Sequence, residues 1–336
     1  MGNQTKVREG VGMAKLKMAI YFGDKPNTGE YDNGVWMDVL NIPYIARIEE
    51  AANYDLVIRT LWIQQGLQGW SKEIRDRYPG VKQIGLSDHP LSTHISRMEP
   101  SQQMQYLADL QYLDGILALT EEERQWYSIA VPNVPVVKSG LPFPFETYEE
   151  RYSQYRNSEK QYIGLGVGAA DNDRNFISSW AAFRVLQAMH PELQGVFLSI
   201  PQPLLQHVNY LADFGQNIFI HARTDMGEFY DVLSQCKFVI NLADRNTPGR
   251  IQAEAAFFGV PVIGSNRLEL QQELYPELAV TPYELGKVVA LAEVLLKDPE
   301  YGDLVAEKAA KKLEKYNYKA SRRRFNSLLK EINERG

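Results

Sequence analysis

The chain has 336 residues, of which 44% are hydrophobic and 23% charged, the balance of an ordinary globular protein. Its 36 basic and 42 acidic residues give a net charge of −6, and an acidic first half argues against a broad nucleic-acid surface there. A single cysteine, Cys236, excludes an internal disulfide framework and fits a reducing compartment. The sequence shows neither a membrane-spanning stretch nor the apolar core of a signal peptide, so a cytoplasmic protein is expected.

Predicted strands and helices alternate through the first half. Short apolar runs predict strands at 17–22, 55–60, 81–86, 114–119 and 134–138, and helical patterns occupy 35–52, 70–78 and 100–112. The glycine-containing loop at 23–34 lacks the G-x-G-x-x-G pattern, so it gives little support to a dinucleotide site. The alternation predicts an α/β domain with a parallel sheet.

Two polar residues with catalytic chemistry follow the third predicted strand. Asp88 and His89 stand directly after the run at 81–86. A carboxylate and an imidazole at the carboxyl end of a strand lie where α/β proteins usually carry their catalytic groups. The alternative is an Asx turn before Pro90, with His89 in solvent. We favour the functional interpretation because the location and the chemistry agree.

The acidic triplet at 121–123 has a structural explanation. Thr120 and Glu123 have the spacing of a capping box, which predicts a helix starting at this point. Acidic residues in the first turn also complement the helix dipole. The triplet is therefore interpreted as a helix start and not as a metal site.

A polar, tyrosine-rich segment divides the chain into two predicted domains. Residues 143–161 show no convincing apolar period, so we predict a first domain at 1–145, a linker at 146–160 and a second domain at 161–316. In the second domain, strands are predicted at 162–167, 195–200 and 217–221, with helices at 175–189, 204–214, 226–235 and 283–296. A long charged helical region at 301–334 is broken near 316–318.

The stretch at 237–265 predicts a strand, a loop, a helix and a second strand. Pro248 and Gly249 open the helix, Gly259 ends it, and the loop before it stands where ligands bind in such sheets. Arg250 in the first turn is unfavourable unless an anion offsets it, and Glu254 one turn later can accept hydrogen bonds from hydroxyls. A diphosphate beside a ribose fits this pattern. The alternative is an Arg250–Glu254 ion pair on a solvated helix face.

This stretch resembles the donor-site motif of the large retaining glycosyltransferase family with the GT-B fold, E-x-F-G-L-x-x-x-E-A-x-A-x-G-x-P-V-I. The residues that fall on its fixed positions are Gly249, Glu254, Ala255, Gly259, Pro261, Val262 and Ile263. Two departures from it matter: Asn246 replaces the first glutamate, and Pro248 replaces the aromatic residue. In the family, the first glutamate holds hydroxyls of the donor sugar and the second holds the ribose.

The resemblance implies two Rossmann-like domains that face a cleft, with a C-terminal helix, here 317–336, crossing back to the first domain. It implies a donor site in the second domain, formed by Arg174, Arg223, Asn246, Thr247, Gly249, Arg250 and Glu254. Arg174 falls where the family places a cation beside the donor phosphates. Arg223 lies in a loop where relatives hold the nucleotide base largely by backbone.

The predicted activity is transfer of a sugar from a nucleotide-sugar, most simply a UDP-sugar, to an acceptor hydroxyl, with Asp88 or His89 as the base or positioning group. The resemblance implies retention at the anomeric carbon and neither a metal nor another cofactor; a D-x-D imitation at Asp171 and Asp173 is discounted. Two alternatives stay open: a GT-B protein that binds nucleotide-sugars without turnover, and an enzyme that glycosylates modified DNA bases. The acceptor and the oligomeric state are not predicted.

Overall fold

Two parallel six-stranded sheets form the framework of the protein. The computed structural model describes residues 16–21, 34–61, 69–87, 91, 95, 98–167, 174–202, 205, 217–222 and 225–335. Every strand pairing in both sheets is parallel, which confirms the predicted α/β class. The residue limits of the predicted domains stay predictions.

The first sheet lies in the first half of the chain. In chain order its strands are β1 (Met18–Tyr21), β2 (Tyr44–Ile45), β3 (Leu56–Thr60), β4 (Lys82–Leu86), β5 (Gly115–Ala118) and β6 (Val136–Lys138). They lie side by side in the order β2-β1-β3-β4-β5-β6. The strands β3, β4 and β5 are buried almost throughout, as expected for strands covered by helices on both faces.

The second sheet repeats this architecture. Its strands are β7 (Tyr162–Val167), β8 (Gln194–Ile200), β9 (Ile218–Ala222), β10 (Cys236–Asn241), β11 (Val262–Ser265) and β12 (Ala279–Val280). Their order is β12-β11-β10-β7-β8-β9, so β10 lies near the centre between β11 and β7. The loop that follows β10 is therefore held by a strand buried on both sides.

The helices connect these strands. Those of the first half and linker are α1 (Val35–Leu40), α2 (Trp70–Arg77), α3 (Pro100–Leu110), α4 (Glu121–Ala130) and α5 (Phe145–Tyr152). Those of the second half are α6 (Phe176–Met189), α7 (Met226–Ser234), α8 (Arg250–Phe257), α9 (Glu269–Leu274), α10 (Leu285–Lys297), α11 (Pro299–Leu313) and α12 (Tyr318–Arg335). None of the helices within the described ranges combines the length and the apolar character that crossing a membrane requires.

Two predicted elements differ from the observed ones. The helical pattern at 35–52 ends at Leu40, because Asn41 adopts a left-handed conformation (φ 53°) and Tyr44–Ile45 pairs with β1 instead. The linker, predicted to lack a helical period, contains α5. Its aromatic residues at 145, 148 and 152 have helical spacing, and Tyr148 is completely buried. The predicted helix at 204–214 lies almost entirely outside the described residues.

The C-terminal helix α12 packs on the first sheet, as predicted. Phe325, Leu328 and Ile332 are buried in one cluster with side chains of β1, β3, β4 and β5. A Cβ atom at Gly115 on β5 would lie 2.8 Å from Ile332 Cδ1, so the glycine is what permits this close approach. The chain thus crosses between the two halves twice, and Phe143 N donates to Tyr316 O (2.7 Å) where the crossings meet.

Candidate functional site

The loop between β10 and α8 is fixed by the start of the next helix. The backbone N–H groups of Glu269 and Leu270, at the first turn of α9, donate to Thr247 O (3.0 Å) and Pro248 O (2.8 Å). Thr247 is buried, and it forms an isolated bridge with Leu268. The loop conformation at the carboxyl end of the second sheet therefore depends on α9.

Gly249 is required by the backbone and by packing. It has φ 84°, in the left-handed region that side chains disfavour. A Cβ atom there would lie 2.7 Å from Gln252 Oε1 and 3.2 Å from Leu268 Cβ. The backbone conformation and the packing together therefore explain why this position of the motif is glycine.

Arg174 stands at the same edge of the sheet as the loop. The next residue, Asn175, also has a positive φ (49°), and its Nδ2 donates to Leu242 O (3.0 Å), at the end of β10. Arg174 belongs to a different strand–helix unit from the loop. This bond nevertheless ties the start of α6 to the start of the loop, so Arg174 lies near the segment that leads to Arg250. Arg174 is half-buried.

Glu254 is buried and already well supplied with donors. Its Oε1 accepts hydrogen bonds from Arg250 Nε (3.1 Å), Tyr148 OH (3.3 Å) and Tyr230 OH (3.3 Å). The Arg250–Glu254 pair considered from the sequence is therefore present, but its carboxylate lies in the interior, with the residue only 4% exposed. The two tyrosine hydroxyls also hydrogen-bond each other.

Burial governs the ionisation of Glu254. Removal from water raises the pKa of its carboxyl group, while the charge and hydrogen bond of Arg250 and the two tyrosine hydroxyls act in the opposite direction. A ribose hydroxyl could join this cluster only by replacing one of these donors or by using the second carboxylate oxygen. Glu254 thus links α8 to the linker helix α5 and to α7.

Two further residues of this edge were not predicted as site residues. Arg245, in the loop itself, is 9% exposed and is a second arginine of the segment that ends at Arg250. His221, at the end of β9, has two buried ring nitrogens that find no hydrogen-bond partner among the described residues. Burial lowers its pKa, so the imidazole is neutral at pH 7 and offers one donor and one acceptor.

A cleft of about 480 Å³ separates the carboxyl ends of the two sheets. Its lining residues from the first half are Thr120, Glu121, Glu122 and Lys138, and those from the second half are Asn246, Thr247, Asn266, Arg267, Glu269, Gln272 and Glu273. Each set follows the ends of two neighbouring strands. The cleft therefore lies where parallel α/β sheets bind ligands.

Asn246, the residue at the first-glutamate position, faces the opposite half of the molecule. Its Nδ2 donates to Glu122 Oε2, which belongs to the first turn of α4. A glutamate at 246 would put two carboxylates in this contact. The residue that departs from the motif thus hydrogen-bonds a carboxylate from the other side of the cleft.

Several predicted site residues lie outside the described residues. These are Asp88 and His89, which follow the strand β4, Arg223, which follows β9, and the discounted pair Asp171 and Asp173. Within the described ranges, no cluster of three or more histidine, cysteine or acidic side chains could hold a metal ion.

Sequence comparison identifies no relative of this chain. No family model matches it, and no curated protein sequence does either. Structural comparison is informative, because solved structures match nearly the whole chain at low sequence identity.

The N-terminal domain of trehalose-6-phosphate phosphatase from Candida albicans is 13% identical, with a TM-score of 0.68 over 93% of this chain and 77% of that one. A UDP-forming α,α-trehalose-phosphate synthase from Burkholderia xenovorans is 12% identical, with a TM-score of 0.68 over 90% and 80%. Sucrose-phosphate synthase from Thermosynechococcus elongatus is 17% identical, with a TM-score of 0.66 over 84% and 75%.

The two synthases among these neighbours are glycosyltransferases of the GT-B type. The chain therefore has the GT-B fold: two Rossmann-like domains that face a cleft, with the C-terminal helix returning to the first. This confirms the fold that the motif implied.

Proposed function

We propose that the protein transfers a sugar from a nucleotide-sugar donor, most simply a UDP-sugar, to an acceptor hydroxyl, with retention at the anomeric carbon. The observation that carries this proposal is the tie between Asn175 and Leu242, which brings Arg174 to the loop ending at Arg250. Arg174 and Arg250 thus belong to separate strand–helix units that follow the neighbouring strands β7 and β10 of a GT-B fold. One neighbour is described as UDP-forming, and another, from S. aureus, was solved with UDP.

Arg174 and Arg250 are proposed to bind the donor diphosphate, together with backbone N–H groups at the start of α8. A guanidinium binds phosphate oxygens through two parallel hydrogen bonds. These groups would stabilise the charge that develops on the diphosphate as the sugar leaves. Arg245 adds positive charge to the same segment.

Glu254 is proposed to accept a ribose hydroxyl, and Thr247 and Gly249 to shape the loop around the phosphates. Because Oε1 of Glu254 already accepts three hydrogen bonds, the ribose would use its second oxygen. Arg223 lies in the loop assigned to the base. The neutral His221, two residues earlier, could pair with a base edge, which would satisfy its ring nitrogens.

Asn246 is proposed to contact hydroxyls of the donor sugar, and the first domain to hold the acceptor, with Asp88 or His89 as the base or positioning group. An asparagine can hydrogen-bond a hydroxyl without contributing charge. No metal or other cofactor is proposed, since the arginines and helix N–H groups supply positive charge at the diphosphate.

A thermal-shift screen tests the donor site. The variant Arg174→Ala is compared with Arg184→Ala, a control on the helix α6 that follows Arg174, where the guanidinium of Arg184 binds Gln187 Oε1 (2.6 Å). One UDP-sugar at 100 times its Kd should stabilise the wild type by roughly 2.7 kcal/mol. Arg174→Ala should weaken its affinity at least about tenfold, the effect of a lost charge-assisted hydrogen bond, and Arg184→Ala should not.

Two outcomes contradict the proposal. One is that no UDP-, GDP-, ADP- or dTDP-sugar stabilises the wild type, and the other is that both arginine variants bind equally well. Transfer that persists in EDTA, with a retained anomeric configuration by NMR, supports the metal-free retaining reaction. Transfer that disappears in EDTA and returns with Mn²⁺ would revive the roles of Asp171 and Asp173.

Binding without turnover is a second candidate, favoured by one observation. Asn246 replaces the motif glutamate, and its amide is engaged by Glu122 from the opposite side of the cleft. Tight binding of a UDP-sugar without transfer or hydrolysis would select this candidate over the enzyme.

A further inference from the structure

The short helix α9 has contacts on both sides of the cleft. On one side, its first two N–H groups hold the carbonyls of Thr247 and Pro248 in the loop proposed to bind the donor. The loop has no comparable backbone tie to the first sheet among the described residues. Helix α9 therefore fixes the backbone of the loop at Thr247 and Pro248.

On the other side, α9 binds the first domain through two carboxylates. Lys138, the last residue of β6, places its Nζ 2.7 Å from Glu269 Oε1 and 3.0 Å from Glu273 Oε1. The second oxygen of Glu269 accepts a hydrogen bond from the Glu121 backbone N–H (2.6 Å). A single lysine thus joins two successive turns of α9 to the opposite sheet.

These contacts differ from ordinary surface ion pairs. The side chains of Lys138 and Glu269 are only 27% and 17% exposed, so solvent screens them less than a fully exposed pair. Burial by itself would lower the pKa of Lys138, but the hydrogen bonds and charges of Glu269 and Glu273 raise it overall. The lysine is therefore charged throughout the neutral range.

The same cluster touches the place where the chain crosses between the domains. Tyr316 donates its hydroxyl to Glu273 Oε2, and Tyr316 O accepts the Phe143 backbone N–H. Because Lys138 and Glu269 lie on opposite sides of the cleft, a rotation that separates the two sheets at this place lengthens the Lys138–Glu269 distance. The contact is thus sensitive to how far the cleft is open.

We propose that Lys138 is a positioning residue that couples closure of the cleft to the order of the donor loop. With the cleft closed, Lys138 and Glu121 hold Glu269, and α9 holds the Thr247–Pro248 carbonyls. When the cleft opens, both contacts are lost and the loop loosens. The effect of this coupling on sugar transfer rests on the proposed function, whereas the coupling itself does not.

Hydrogen exchange measures the coupling without substrate. Lys138→Met removes the charge and keeps most of the side-chain length, and Lys138→Arg restores it. Lys82→Met is the matched control, since Lys82 Nζ also bridges two elements, binding Asn333 Oδ1 (2.6 Å) on α12, away from α9. Peptides covering 245–249 and 268–271 should exchange about tenfold faster in Lys138→Met, and at the wild-type rate in the other two variants.

Unchanged exchange in these peptides for a folded Lys138→Met protein would overturn the proposal, as would equal acceleration in Lys82→Met. Should Lys138→Met fail to fold, Glu269→Gln tests the same contact from the other side with little change of shape. It should accelerate exchange in the same two peptides, and unchanged exchange would again overturn the coupling.

Kinetics connect the coupling to transfer. If Lys138 only positions the loop, Lys138→Met should lower kcat several-fold and raise the KM of the donor, with recovery in Lys138→Arg. Faster exchange in a protein that binds no nucleotide-sugar would uphold the coupling and reject the proposed function. Normal kcat together with faster exchange would reject the role of Lys138 in transfer.

Discussion

Each domain contains a strand, a loop and a helix at the cleft edge, and each of these units buries a carboxylate in its own way. In the first domain the unit runs from β5 to α4, and Glu123 is 2% exposed. In the second it runs from β10 to α8, and Glu254 is 4% exposed. The two groups have similar burial but entirely different partners.

The hydrogen bonds of Glu123 come from its own turn. Its Oε2 accepts the backbone N–H groups of Leu119 (2.8 Å) and Thr120 (3.1 Å), and Thr120 Oγ1 accepts the Glu123 N–H in return. No cation among the described residues pairs with it. Burial raises the pKa of Glu123 to about 7 even though the backbone and Ser87 act to lower it.

The hydrogen-bond donors to Glu254 come from three helices. Arg250 lies on the same helix, but Tyr148 comes from α5 and Tyr230 from α7. The first carboxylate completes a helix start, whereas the second joins separate elements around the proposed donor site. The comparison predicts that changes at Glu254 disturb the whole second domain and that changes at Glu123 stay local.

The largest effect is expected for Glu254→Ala. It leaves the buried end of Arg250 and two tyrosine hydroxyls without their acceptor, which should lower the free energy of unfolding by about 4 kcal/mol. Glu254→Gln keeps an acceptor and should lose roughly half as much. Urea denaturation measures both values, and equal losses in the two variants would contradict the partnership described for Glu254.

The pH dependence of stability should reveal Glu123. Because its pKa is raised from 4.5 to about 7, the folded protein holds this proton more tightly than the unfolded chain does. The stabilisation is fully present below pH 4.5 and is lost as the pH rises through about 7. The shift corresponds to about 3 kcal/mol.

Glu123→Gln should remove this component and keep the capping geometry. Its free energy of unfolding relative to the wild type should therefore increase between pH 4.5 and 8. Urea denaturation at both pH values provides the comparison. A difference between the two proteins that does not change with pH would show that Glu123 does not titrate in this range.

The smallest effect is expected for Thr120→Ala, which removes the hydroxyl that accepts the Glu123 N–H. Loss of such a cap lowers stability by about 1 kcal/mol. The control is Ser128→Ala on the same helix, where the hydroxyl only donates to Arg124 O (2.7 Å). A loss at Thr120 as large as that of Glu254→Ala would contradict the distinction between a local and an assembled site.

Most strands could be predicted from the sequence, because parallel strands buried on both faces are continuous apolar runs. The capping box of Thr120 and Glu123 was equally visible, since all of its bonds lie within four residues. The helix predicted at 35–52 was confirmed for Val35–Leu40 and wrong beyond it, because the pairing of Tyr44–Ile45 with β1 overrides local periodicity. Helix α5 was missed because its helical spacing is carried by aromatic residues among charges.

The candidate site was predictable in part. The motif identified Gly249 and Glu254, the position of Arg250 in a first helical turn indicated an anion site, and strand ends identified the edge on which they lie. Arg245 was visible in the same loop, but nothing in the sequence indicated that it is buried. Lys138 also stands at a strand end, which is a usable signal. Glu269 gave none, because its partner is 131 positions away in the other domain.

The sequence by itself determined the alternation of strands and helices, the capped start of α4 and the strand–loop–helix that carries the motif, since each depends on residues a few positions apart. Only the tertiary structure decided that Glu254 is buried beneath Tyr148 and Tyr230, that Asn246 meets Glu122, and that Lys138 reaches α9. Those contacts join side chains from distant segments, and their partners are fixed by the packing of the two sheets and the double crossing of the chain.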